Sequence, residues 1–253
     1  MDQIYIPKNR TGFPIGNYVI VTPVMSSLNS KKIEKLYFYG LKSLEPIKLT
    51  VIKEIFNIID KKMENYGNII VTGSFLEKGF GFNDIDILII SEEKANIEIV
   101  KEYIVNQIGI KPHIILIDNK SLIEGLSTDP LYLSMLSRCI SKKRLIYNVK
   151  TKINYKLLDL QLLKSKIVID NFDILSGNEK YYYLQNIIAI KLFLESKKVS
   201  KDSINKIIEN LFKMSKDKIK QNLIDKKEFI EKYKQIYNKT FKHIMEHIGH
   251  ESK

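Results

Sequence analysis

Two aspartates one residue apart, Asp84 and Asp86, open an apolar run in "NDIDILII". Side chains alternate across a strand, so both carboxylates point to one face while Ile85, Ile87 and Ile89 point to the other. Residues i and i+2 lie roughly 7 Å apart along a strand, a span over which carboxylates can serve a pair of hard cations such as magnesium. Leu88 and Ile90 continue the same face as apolar positions, which places the acids at the rim of a sheet. Upstream, with nine residues between Ser74 and Asp84, Gly73-Ser74 follows another apolar run, "NIIVT". A glycine-serine turn after a strand offers backbone N–H groups and a hydroxyl to phosphate oxygens. Lys78 in the connecting loop adds a point charge for the same anion, and Gly79 and Gly81 let the loop fold tightly over a ligand. A dinucleotide fingerprint is excluded, because Asp84 stands where a third glycine would fall and a strand follows rather than a helix.

These residues need a scaffold, and the periodicity supplies one. "LTVIKEIFNIIDKKMENYG" reads as a helix capped by Thr50 and ended by Gly67, with Ile52, Ile55, Phe56 and Ile59 in its apolar stripe. Short apolar strands follow at "NIIVTG", "DIDILII" and "HIILID". A helix lies between the second and third, with Ser91 as its cap and Glu92 and Glu93 in its first turn. A helix over "DPLYLSMLSRCISKK" then leads to an extended piece, "RLIYN". Upstream, a short strand is expected at Tyr18–Val21 and a helix over "NSKKIEKLYFYGLKSL", capped by Asn29 or Ser30. Beyond residue 150 the strand signal ends, and four amphipathic stretches beginning near residues 155, 179, 201 and 225 read as a helical bundle. The expected organisation is an α/β (α+β) protein: an extension over 1–44, a mixed-sheet domain over 45–150, and a helical bundle over 151–253.

The order helix, apolar strand, Gly73-Ser74, glycine-bearing loop, Asp84-Ile85-Asp86, apolar strand resembles the signature of the DNA polymerase β-type nucleotidyltransferase superfamily, over roughly residues 45 to 150. The helical tail resembles the arrangement in kanamycin nucleotidyltransferase-type enzymes. The resemblance implies a small mixed sheet with helices on one face, two magnesium ions, and transfer of a nucleoside monophosphate from a nucleoside triphosphate such as ATP. On that basis Asp84 and Asp86 would bind metal, and Gly73 and Ser74 would hold triphosphate oxygens. The superfamily takes a third carboxylate from the next strand, here "KPHIILIDN". Asp118, at that strand's far end, is the candidate acid. His113 falls near the expected position, and a missing or rearranged acid is the other alternative.

Composition bounds the rest. The chain has 253 residues, 44% apolar and 28% charged, with a net charge of +12. That excess favours RNA or another polyanion as partner, although it is almost all lysine and a coding bias produces the same excess. A protein acceptor is the alternative. No run approaches the roughly 18 apolar residues of a membrane span. The first residues lack the apolar core of a secretory signal, so a cytoplasmic protein without membrane contact is expected. The single Cys139 excludes an intrachain disulfide. His243 and His247 share a helix face with no carboxylate or cysteine set beside them, and read as solvated residues of the tail. The run Tyr181–Tyr183 reads as packing of the bundle. A module of the same fold that binds nucleic acid or protein without transferring anything is the rival function.

Overall fold

The computed structural model describes residues 35–251. The expected strand at Tyr18–Val21 and the cap at Asn29 or Ser30 lie outside them. Within them a five-stranded mixed sheet is followed by a group of helices, the α+β architecture expected.

Strand β1 (Tyr37–Tyr39) comes first and falls where a helix was expected. Three consecutive aromatic residues suit a pleated surface, and β1 pairs antiparallel with β5 (Cys139–Ser141), Phe38 opposite Ile140. Helix α1 (Pro46–Lys62) starts one turn before Thr50, because Pro46 is preorganised for a first helical turn. Thr50 instead donates its hydroxyl to the Pro46 carbonyl. The helix also stops before Gly67, at Met63, whose backbone is extended.

Strand β2 (Asn68–Thr72), wholly buried, pairs antiparallel with β3 (Asp84–Ile90), Thr72 opposite Asp86. Helix α2 (Ile97–Ile108) then crosses over to β4 (Lys111–Ile117), which runs parallel to β3. The cap of α2 is Asn96, whose side chain accepts from Glu98 N, while Ser91 closes a local turn with Glu93. Helices α3 (Asn119–Thr128) and α4 (Pro130–Leu136) lead into β5, giving the order β1-β5-β2-β3-β4. The last strand is thus "CIS" and not "RLIYN". Cys139 to Ser141 are buried between β1 and β2, whereas Ile146 is 75% exposed and has no strand to pair with.

Alternation along β3 decides what each face does. Ile85, Ile87 and Ile89 pack with Ile69 and Val71 against α1 and α2, through Ile52, Ile55, Phe56, Val100 and Ile104. On the opposite face Leu88 and Ile90 meet Ile70 and, from α3, Leu122 and Leu126. That cover stops short of the strand's start, where Asp84 and Asp86 stand half-buried.

The remaining helices are α5 (Tyr155–Ser165), α6 (Ile167–Asp170), α7 (Gly177–Leu194), α8 (Lys201–Phe212), α9 (Lys216–Lys220) and α10 (Lys226–Glu251). They surround α7, whose Leu184, Ile187 and Ile188 are fully buried with Leu158, Phe212 and Tyr233. Leu131 and Leu133 of α4 pack against this core, so α4 fastens the sheet to the helices. No helix among the described residues is long and apolar enough to cross a membrane.

Candidate active site

The turn after β2 is built around one backbone position. Gly73 has φ +83° and ψ −161°, a region that side chains other than glycine's hydrogen do not tolerate. A Cβ there would also overlap the Asp86 carboxylate. Glycine is therefore needed twice, for the conformation and for letting the backbone meet an acid of the neighbouring strand. A short 3₁₀ turn, Ser74–Leu76, follows, with Glu77 N donating to Ser74 O.

The loop beyond it is held from α1. Lys48, 1% exposed, donates its Nζ to the carbonyls of Glu77 and Gly79 at 2.5 and 2.6 Å. Glu45 lies 3.2 Å from the same ammonium and accepts from Gly79 N. Those bonds hold the Glu45 carboxyl down at about 2. Phe75 and Phe82 stack edge to face beneath the loop, with the Lys48 ammonium near both rings. A buried cation is costly unless partnered, and two of these partners are loop carbonyls, so Lys48 ties the loop to α1.

On β3, Asp84 and Asp86 point to the open face as alternation requires. The parallel register sets Asp84 beside Lys111 and Asp86 beside His113. His113 Nδ1 lies 3.0 Å from Asp86 Oδ1, and its side chain is 61% exposed. The place next to Asp86 on the following strand is thus occupied by an imidazole.

Asp118 is elsewhere. It follows Ile117, the register partner of Ile90, so it stands at the opposite end of β4, five residues or roughly 16 Å along the strand from His113. There it caps α3, accepting from Ser121 N at 2.7 Å and from the Ser121 hydroxyl. These bonds hold its carboxyl below the ordinary range. It does not join Asp84 and Asp86. Lys78 is exposed and does not line the cleft described next.

A cleft of about 560 Å³ lies over the aspartates. Gly73, Ser74, Glu77, Asp84, Asp86 and His113 form its sheet side. The helices supply Tyr182 and Gln185 from α7, Lys201 from the start of α8, and Lys220 from α9. The tyrosine run divides accordingly: Tyr181 is buried and bonded to Asn205, while Tyr182 is 54% exposed at the cleft. Burial, with the nearby Arg138 and Lys220 cations, lowers the pKa of Lys201 against the pull of Glu77 and Asp86. Lys220 owes its place to Gly177, where a Cβ would collide with the carbonyl oxygens of Ile219 and Lys220, so α9 packs directly on the start of α7. The sequence reading did not single out Lys201, Lys220 or Glu77. With 41 lysines and arginines in the chain, nothing in their spacing separates these from the rest.

As a metal site the cleft offers two carboxylates on one face. Among the described residues no three or more of His, Cys, Asp and Glu converge. Magnesium keeps several waters and commonly takes one or two carboxylates plus phosphate oxygens. Asp84 and Asp86 fit one such ion; a second would depend on oxygens supplied by a ligand. The C-terminal histidines pair with rings, His247 stacking on both Tyr155 and His243.

Comparison with known proteins adds no relative: no family model, no curated protein and no solved structure matches the chain.

Proposed function

We propose that the protein is a magnesium-dependent nucleotidyltransferase, moving a nucleoside monophosphate from a nucleoside triphosphate such as ATP to an acceptor hydroxyl. The observation that carries this reading is the close approach of Gly73 to the Asp86 carboxylate beside Asp84. It brings a glycine-serine turn and two carboxylates together at the floor of one cleft, which supports a phosphate and metal site there. The turn's N–H groups and the Ser74 hydroxyl would hold triphosphate oxygens, and Lys201 and Lys220 would face them from the helices. Asp84 and Asp86 would hold magnesium, which when bound neutralises phosphate charge as the transfer proceeds.

In the transfer, the acceptor oxygen forms a bond to the α-phosphorus as the bond to the bridging oxygen breaks. Pyrophosphate leaves with that electron pair. With Nδ1–H donated to Asp86 Oδ1, His113 keeps a lone pair on Nε2, and that atom takes the acceptor's proton.

Charge distribution supports a polyanionic acceptor such as RNA. Residues 45–150 carry 14 basic and 14 acidic residues, whereas residues 151–253 carry 21 lysines against 13 acids. Eight of the twelve net positive charges therefore sit on the helical part that would meet the acceptor.

One observation favours the rival reading, a module that binds without transferring: an imidazole, not a carboxylate, stands beside Asp86. The deciding experiment uses nucleoside triphosphates labelled at the α-phosphate, with magnesium, and follows label onto RNA, protein and small alcohols. Transfer by the parent and none by Asp84→Asn supports the enzyme. Triphosphate binding that depends on Asp84, with no transfer to any acceptor, supports the module.

A further inference from the structure

A carboxylate lies inside the cleft whose proposed ligand is a polyanion. Glu77 Oε2 accepts from Lys220 Nζ at 3.0 Å and from Lys216 Nζ at 3.1 Å. Glu77 is 19% exposed, and its carbonyl is fixed by the buried Lys48, so it cannot swing away with a mobile loop. Of its two lysine partners only Lys220 lines the cleft.

From this arrangement we infer that Glu77 is a displaceable internal counter-ion, which Lys220 leaves when a polyphosphate enters and which Lys216 retains. The inference rests on the phosphate-binding reading of the cleft given above. A polyphosphate seated at Gly73-Ser74 shares the cleft with a lysine that is already neutralised. To pair with Lys220 it must take that ammonium from Glu77. Removing both partners would leave an unpaired carboxylate in a part-buried place, which is costly. Lys216 removes that obstacle, because it stays on the same oxygen from a position outside the cleft.

The consequence is selection by charge. Orthophosphate gains little from Lys220 beyond what Glu77 already supplies and is repelled by the carboxylate. Triphosphate and pyrophosphate carry enough charge to displace it. Glu77 thereby keeps small anions out of the site and weakens retention of the pyrophosphate product.

The test is calorimetric titration of the full chain with inorganic orthophosphate, pyrophosphate and tripolyphosphate, at a fixed magnesium concentration. Glu77→Gln should tighten pyrophosphate about fivefold, the scale of a part-exposed ion pair removed from competition. It should also narrow the gap between orthophosphate and tripolyphosphate. Lys216→Met should act in the opposite direction, since Glu77 then depends on Lys220 alone, and should have no effect in the Glu77→Gln background. If Glu77→Gln binds all three anions as the parent does, or more weakly, with melting temperature unchanged, the counter-ion role is overturned while the phosphate cleft stands. If Glu77→Gln is destabilised, the Lys216→Met titration decides: unchanged or tighter polyphosphate binding overturns the role. If parent and variants bind no tripolyphosphate, the phosphate cleft falls, and this inference with it.

Discussion

Gly73→Ala is the substitution whose effect follows most directly from the geometry. Alanine at φ +83° and ψ −161° is strained by about 1–3 kcal/mol. Its methyl group would also drive the Asp86 carboxylate from its place and break the bond to His113. A hydrogen bond of this kind contributes about 0.5–1.5 kcal/mol. The two effects together put the loss at roughly 1.5–4.5 kcal/mol, or several degrees of melting temperature for a chain of this size. Urea unfolding of parent and variant measures the total. The Asp86→Ala background separates the parts: without a carboxylate to displace, Gly73→Ala should cost only the backbone strain, about 1 kcal/mol less than in the parent. Magnesium-dependent tripolyphosphate binding, read by calorimetry, should be lost in Gly73→Ala even where the protein remains folded. A variant that unfolds within about 0.5 kcal/mol of the parent and binds normally would refute the claim that this glycine is needed to seat the turn against Asp86.

Asp84→Asn with Asp86→Asn should leave the melting temperature nearly unchanged, since both side chains stand at the open rim, yet abolish magnesium-dependent triphosphate binding; retained binding would exclude the aspartates as the metal site. Asp118→Ala should remove the side-chain cap of α3 and lower thermal stability while sparing triphosphate binding, so loss of binding in a folded variant would place Asp118 in the site after all. Burial opposes ionisation of Glu77, but Lys220 and Lys216 outweigh it and hold its pKa at about 2, below the ordinary 4.5. Its contribution to stability is therefore complete above pH 4.5 and lost as pH falls toward 2. Acid unfolding of Glu77→Gln should show a shallower dependence across that window, and an identical profile would contradict the pairing. If RNA is the acceptor, its affinity should fall steeply from low to physiological salt through counterion release, and a flat response would point to a protein or small-molecule acceptor.

The site's floor was legible in the sequence because it is local. Period-two alternation alone puts Asp84 and Asp86 on the face opposite Ile85 and Ile87, and a glycine before serine after an apolar strand marks the turn. Helices α1, α2 and α8 were equally legible from their apolar stripes, whereas α7, expected to be amphipathic, is buried around its second half, with Ile187 to Ile190 and Leu192 to Leu194 all in the core. Short elements were not. Cys139–Ser141 is a strand because it pairs with β2, Tyr37–Tyr39 because it pairs with Cys139–Ser141, and the five residues of α9 are too few to show a period. Yet α9 carries Lys220, brought to the cleft by the contact at Gly177 that no spacing reveals. The clearest division concerns the residue beside the aspartates. A strand ending in Asp118 would bring that acid to Asp84 if it ran antiparallel to β3. Helix α2 crosses over instead, so β4 runs parallel, its start lies beside the aspartates and its end beside Ile90. Strand direction is set by how α2 packs across the sheet, and that contact gives the place next to Asp86 to His113.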